Sequence, residues 1–416
     1  MKHLVLFIRL KQLLKEGFKM KICLIVDDYL PNSKKVAGKM MHELATEFTF
    51  KGHEVTVITP CTKIKLQYEI SNLDSVRVCR FKSGKIKNTS MVERVINESL
   101  LSFRAWRACK DFLKDNKHDL IIYYSPSIFW GQLIRKLKKI WGVKSYLVLR
   151  DFYPQMFFDE GLISKYSPIA IYFRLIEWLC YLPADIIAIE SPKNLIWFES
   201  RTWVNKPLRL LYNWAADDSV KGDSNFRNKM GLQDKVVFFY GGNIGPQQDM
   251  LNIVRLAKSL QYDKRAHFVI VGDGFALNML KNSLSNENLK NVTLLPPVPQ
   301  DEFKKMLSEF DVGLFSLNKE HTTHNIPGKL LGYMVQGKPI LGSININNDI
   351  KDIVEDAGAG LIAINGDDDT FLLNALKLLN NTNLRNEMGS RSKILLKNIF
   401  SVKAAAKVIL EDKLLS

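Results

Sequence analysis

The chain has 416 residues, 46% of them hydrophobic and 25% charged, which excludes a disordered polymer and exceeds what one ordinary core would use, so two domains are expected. Its formal charge of +16 is lopsided: 35 basic against 20 acidic residues over 1–215 leave +15, whereas 24 against 23 over 216–416 leave +1. The first half is therefore expected to meet an anion, the alternative being a solvated face without a partner. Its basic runs 82–87 and 135–139 lack the interleaved aromatics of a single-strand reader, which favours a membrane surface over nucleic acid.

Residues 1–19 carry an apolar segment, 4–8, too short for a secretory signal, and no small-residue cleavage site follows. An amphipathic membrane-surface helix and an extension from an upstream start codon both fit it. Cys23, Cys61, Cys79, Cys109 and Cys180 form no C-x-x-C pair and no metal-ligand spacing with histidine, so reduced, buried, cytosolic thiols are expected. The most apolar window, 168–189, is interrupted by Arg174, Glu177, Pro183 and Asp185, which rules it out as a span.

From residue 20 onward, apolar runs bounded by turn residues alternate with helical stretches. The runs 22–26, 54–59, 119–124, 146–149 and 186–189 form one series, and 236–240, 267–271, 292–294, 312–315, 340–341 and 360–364 form a second. Such alternation predicts βαβ units and parallel sheets, hence an α/β protein of two doubly wound domains. The stretch 201–223 reads as the linker. The expected divisions are an extension at 1–19, a first domain at 20–209, a second at 210–398, and a last helix at 399–416 that could pack back on the first.

Four features of the second half fall at predicted strand-to-helix turns. Gly241, Gly242, Asn243 and Gly245 open a turn that exposes backbone amides to phosphate oxygens. Gly272, Asp273 and Gly274 form a second such turn at the same predicted sheet edge. Pro296, Pro297, Val298 and Pro299 stiffen a loop suited to a flat base. The fourth, residues 324–339, reads HNIPGKLLGYMVQGKP. A helix is predicted to start near Pro327, with Gly328 admitting a ligand close to the backbone and Lys329 adding a cation, so a diphosphate is the expected guest. Gly337, Lys338 and Pro339 close that helix. Each feature alone is an ordinary turn or a solvated lysine; their coincidence at one edge is the signal.

On these motifs the second half resembles the sugar-nucleotide domain of retaining glycosyltransferases of family 4, whose GT-B architecture has two Rossmann-like domains facing across a cleft. The opening at 20–60 is similar to the family's strand, acceptor-side loop, helix and G-H-x-V-x-V strand, and 149–161 (LRDFYPQMFFDEG) resembles a subgroup that makes O-antigen and capsule repeat units. Within it, PGKLLGYM and IVEDAGAG look closest to WbuB-type N-acetyl-L-fucosamine transferases. The resemblance implies a UDP-sugar donor used as substrate rather than cofactor, no metal, a polyprenyl-diphosphate-linked acceptor, and a cytoplasmic place at the anionic inner face of the plasma membrane. It implies leaving-group stabilisation by Lys329, a donor-sugar contact by His324, and acceptor or sugar positioning by Asp151. Asp27, Asp28, Gly38 and Arg150 fall on the acceptor side.

The sequence departs from the family where two glutamates eight apart are expected: His324 and Gly332 stand there. Asn243 and Gln248 replace the family's Arg and Lys of the first glycine turn. Asp349 or a backbone group is then the expected partner of the ribose. Two rival readings stay open at this point, a non-catalytic sugar-nucleotide-binding scaffold and a nucleotide-sugar epimerase.

Overall fold

The computed structural model describes residues 19–415 except 32, 34, 35, 88, 126, 160–162, 201–203, 224 and 321–325. The chain divides into two units. The first comprises the chain up to Glu190, Leu195–Leu211 and the residues from Ala406 on; the second comprises Ser191–Asn194 and Tyr212–Ala405.

The first unit is built on an eight-stranded sheet of β1 (Lys21–Ile25), β2 (Glu54–Cys61), β3 (Tyr68–Leu73), β4 (Val76–Lys82), β5 (Leu120–Ser125), β6 (Lys144–Leu149), β7 (Ile186–Ile189) and β8 (Leu208–Leu210), in the order β3-β4-β2-β1-β5-β6-β7-β8. Its central strands are uninterrupted apolar runs because helices cover both faces of a parallel sheet; β5, LIIYYS, is buried at every position. The strand order reverses between β1 and β5, which is where doubly wound sheets leave a crevice at the carboxyl ends of their strands.

Strands β3, β4 and β8 are absent from the runs expected of the sequence. Strand β3 runs antiparallel to β4, joined through Asp74 and Ser75 at φ +47 and +66. Both residues adopt the left-handed region, as a tight two-residue hairpin turn requires; Asp74 suits the first position, whereas Ser75 stands where Gly is usual. Residues 208–210, read as linker, pair with β7 as the edge strand β8. The end of the chain is held to that strand by Arg209, whose guanidinium donates to both carboxylate oxygens of the buried Asp412 at 2.6 and 3.1 Å.

The second unit has six parallel strands, β9 (Val236–Asn243), β10 (Ala266–Asp273), β11 (Val292–Leu295), β12 (Val312–Ser316), β13 (Ile340–Ile344) and β14 (Gly360–Ile364), ordered β11-β10-β9-β12-β13-β14. One face packs Phe239, Val269, Phe315 and Ile362 on the helices Gln300–Glu309 and Lys329–Val335. The other packs Phe238, Phe268, Leu314 and Ala363 on Met250–Ser259 and Asp368–Asn380. Again the strand order reverses beside β9, between β10 and β12, so the turn that follows β9 lies at the switch point.

Candidate active site

In the second unit the two glycine turns abut. Strands β9 and β10 pair in register so that Gly242 lies beside Gly272 and Asn243 beside Asp273. A Cβ on Gly272 would stand 1.9 Å from the Gly242 carbonyl, and one on Gly274, at φ +154, would stand 2.4 Å from the Ile244 carbonyl. No side chain fits at either place. The turns are tied by Ile244 N donating to Asp273 O at 2.8 Å, and Asp273 Oδ1 caps the Gly274 amide at 2.8 Å. Asn243 and Gln248, which replace cations of the family pattern, bond to each other at 3.1 Å, and the same Gln248 oxygen accepts from Gly245 N. They close the turn as a neutral pair.

Lys329 reaches this turn from across the sheet edge. Its Cε would lie 3.5 Å from a Cβ on Gly242, and its Nζ sits 4.8 Å from the centroid of the Tyr240 ring. It has no carboxylate partner among the described residues, and burial alone lowers its pKa from 10.5 to about 8. Such an ammonium has given up much of its water without gaining an anion. The helix it opens, Lys329–Val335, starts one turn tighter than an ideal α-helix, with Leu330 N bonded to Pro327 O and Leu331 N to Gly328 O. Gly337 ends it at φ +61, as expected.

Further donor-side candidates lie at the carboxyl edge of the same sheet. Pro297 is exposed in the loop after β11, while Val298 packs against the core and anchors that loop. Asp349 is buried after β13, its Oδ2 accepting from Lys193 N at 2.9 Å, so one of its oxygens is already engaged. A Cβ on Gly332 would point to Leu307 at 3.5 Å. His324 lies outside the described residues.

The first unit gathers its candidates at the carboxyl ends of β1, β5, β6 and β7. Asp27 and Asp28 share Lys87, whose Nζ stands 3.3 and 2.8 Å from them. Ser33 Oγ donates to Asp28 at 2.5 Å, and Gly38 lies beneath that contact, where a Cβ would approach Ser33 Oγ to 3.0 Å and press it to shift by a few tenths of an ångström. Burial pushes Asp151 up to about 6; Arg150 opposes the shift and Asp27 adds to it, so these three groups sense one another. Arg150 is buried, which lowers its own pKa, with Glu190 and Tyr124 working the other way.

Asp27 and Asp28 also wall a cavity of about 550 Å³ with Thr59, Lys63, Arg80 and Lys85. Thr59 is buried and its hydroxyl has no hydrogen-bond partner among the described residues, an acceptor-donor group left for a polar guest. The loop forming the cavity floor is braced twice. Tyr29 OH bonds His42 Nδ1 at 2.8 Å, His42 Nε2 bonds Asp74 at 2.8 Å, and Arg80 donates to the Leu30 carbonyl at 2.6 Å.

Residues 223–394 match the family model of glycosyl transferases group 1. The chain is 27% identical over 337 residues to the probable glycosyltransferase WbjE of Pseudomonas aeruginosa, covering 79% of this chain and 80% of that one. It is 24% identical over 353 residues to the colanic acid biosynthesis glycosyl transferase WcaI of Escherichia coli K12, covering 76% and 82%. The fold superposes on Anabaena HepE in complex with UDP at a TM-score of 0.67, with 13% identity over 94% of this chain and 99% of that one. The chain is a glycosyltransferase with the GT-B fold. Its group 1 match falls within the second unit and contains every donor-side residue described above.

Several groups at these sites were not singled out from the sequence. Lys87 belongs to a basic run assigned to lipid, and Lys138 to another, yet the first pairs with Asp27 and Asp28 and the second bonds Asp185 at 2.6 Å. Those two charges are internal and offer nothing to a membrane. Tyr240, under the Lys329 ammonium, was read only as a strand residue. Tyr124 is the penultimate residue of β5 and Glu190 follows β7, and polar residues at strand ends beside a switch point are the signal that would have found them.

Proposed function

We propose that this glycosyltransferase retains anomeric configuration and moves N-acetyl-L-fucosamine or a related deoxyamino sugar from its UDP carrier to a sugar on polyprenyl diphosphate, in O-antigen or capsule assembly at the inner face of the plasma membrane. The observation that carries the donor half is the Lys329 ammonium, half-buried and paired with no carboxylate among the described residues, set over an amide-rich glycine turn. A diphosphate entering there supplies the missing counter-charge. HepE, whose structure holds UDP, supports the choice of nucleotide, and WcaI, named for colanic acid biosynthesis, supports the polysaccharide setting.

The acceptor hydroxyl attacks the anomeric carbon on the face from which UDP departs. The bond from that carbon to the β-phosphate oxygen breaks, the bond to the acceptor oxygen forms, and the hydroxyl proton passes to the departing phosphate. Lys329 and the glycine-turn amides, fixed before the reaction begins, meet the charge that grows on the phosphate. Asp151, with Arg150 beside it, positions the acceptor side, and the cavity walled by Asp27 and Asp28 takes the acceptor's sugar and phosphates. No resident metal takes part.

Thermal shift with UDP, GDP and TDP sugars tests the donor assignment, because a ligand bound only by the folded chain raises its melting point. UDP and UDP-sugars should raise it most. Equal shifts with all three carriers, or none with UDP, would overturn the assignment.

A further inference from the structure

Strand β9 ends with a tyrosine followed by two glycines, and that order shapes the ground under Lys329. A Cβ on Gly241 would stand 2.4 Å from the Phe303 ring and have to displace it, while one on Gly242, at φ +134, would come to 3.5 Å from Lys329 Cε. Tyr240 is thus the last side chain of the strand before the turn, and the lysine reaches its ring over bare glycine backbone. The ring itself is fully buried, in the core cluster that holds Phe238, Ile244 and Met250.

Both parts of this side chain are engaged. The hydroxyl donates to the Asn243 carbonyl at 2.5 Å, and the amide of the same peptide, Ile244 N, donates to Asp273 O at 2.8 Å. The Asn243–Ile244 peptide is therefore held at both of its polar atoms, which fixes its plane within the glycine turn. The ring centroid lies 4.8 Å from Lys329 Nζ, within the range of a cation–π contact. No carboxylate meets the ammonium among the described residues, and burial alone lowers its pKa. The titratable groups around it carry no opposing change: Tyr240 and Tyr333, one turn along the lysine's helix, are pushed up by burial and stay neutral, and Asp273 in the adjoining turn has Oδ1 on the Gly274 amide.

We propose that Tyr240 is the positioning residue of the donor site: its hydroxyl sets the glycine turn, and its ring face keeps the Lys329 ammonium charged and in place until an anion arrives. A carboxylate at the same spot would hold the lysine more strongly, but it would also compete with the diphosphate for it. A ring face attracts a cation through its quadrupole and brings no anion that a ligand must displace. The donors of the ammonium are then left for phosphate oxygens. Resting on the assignment of a diphosphate to Lys329, this role adds to it the residue that prepares the cation.

Calorimetric titration of the full chain with UDP, from about pH 6 to about pH 9.5, tests this. UDP affinity should fall as Lys329 of the free protein loses its proton, so the midpoint of the fall reports that lysine before binding; the ionisation of UDP itself is common to every variant. In the parent the midpoint should lie at about 8. Tyr240→Leu should move it down by about one pH unit, because the ammonium loses the ring. Tyr240→Phe keeps the ring and should leave the midpoint in place, while the freed Asn243 carbonyl weakens UDP binding about three- to tenfold at every pH. A trifluorinated phenylalanine at the same position keeps the shape of Phe but weakens the negative ring face, so its midpoint should fall between those of the Phe and Leu variants; it decides the matter if Tyr240→Leu does not fold. A midpoint unmoved by loss or fluorination of the ring would overturn the inference, as would parental affinity in Tyr240→Phe. Lys329→Met is the control for the donor site itself: it should bind UDP weakly and without this pH dependence, and parental UDP binding there would overturn the diphosphate assignment rather than the role of Tyr240.

Discussion

Replacing Lys329 by Met keeps the length of the side chain and removes its ammonium. Burial lowers the pKa of this lysine from 10.5 to about 8, so holding it charged at pH 7 costs about 3 kcal/mol at 1.36 kcal/mol per pKa unit. The unfolded chain keeps this proton up to its ordinary pKa, and the folded chain releases it near 8. Across that window the unfolded state binds more protons, so this residue's contribution to stability improves as pH rises, and below pH 8 the whole cost is present. Lys329→Met should therefore make the ligand-free protein more stable at pH 7, by about 1 to 3 kcal/mol in denaturant unfolding. The same change should raise the barrier to transfer by about 2 to 4 kcal/mol, a fall of roughly 30- to 1,000-fold in kcat/KM, because the departing diphosphate loses the cation proposed to face it. In the parent, kcat/KM should decline as pH passes about 8, and Lys329→Arg should move that limb upward, since a guanidinium stays charged. Lys338 is also lowered to about 8 by burial, but its Nζ donates to the Ser308 carbonyl, so Lys338→Met should leave the limb in place. A Lys329→Met protein that is less stable without ligand and transfers at the parental rate would refute the reasoning.

Asp151→Asn tests the other unit. The folded protein holds this proton to about 6 rather than 3.8, so stability from Asp151 is lost as pH rises through that window and the ionised group is a cost at pH 7. The variant should unfold no earlier than the parent at pH 7, yet transfer about a hundredfold more slowly; a near-normal rate would return Asp151 to a structural role. Gly272→Ala places a methyl 1.9 Å from the Gly242 carbonyl and should cost about 3 kcal/mol or more in urea unfolding, with UDP binding lost. Normal folding and UDP affinity in that variant would show that the two turns need not abut. Transfer in excess EDTA should match transfer in plain buffer, and a loss restored by Mg²⁺ would contradict the metal-free mechanism.

The strands legible in the sequence are those buried on both faces. Strands such as β5, LIIYYS, and β9, VVFFYGGN, announce themselves as apolar runs closed by a polar or glycine turn. Strand β3, YEISNL, is polar and exposed, and its turn follows Asp74 with Ser75 rather than the usual Gly, so little that is local marks it. Strand β8 is three residues long and exists because β7 offers it an edge. The site divides the same way. The glycine turns and Lys329 are written in short segments whose conformational demands are local. The Lys87 pairing with Asp27 and Asp28, and the Tyr29–His42–Asp74 chain, join groups 13 to 60 residues apart, and only the folded sheet brings them together.

A crystal structure with UDP tests the central claim most directly. The account predicts phosphate oxygens within hydrogen-bonding distance of Lys329 Nζ and of amides in the turn Gly241–Gly245, with the ammonium drawn from the Tyr240 ring toward the diphosphate. Clear density for UDP elsewhere, with Lys329 still resting over Tyr240, would contradict it.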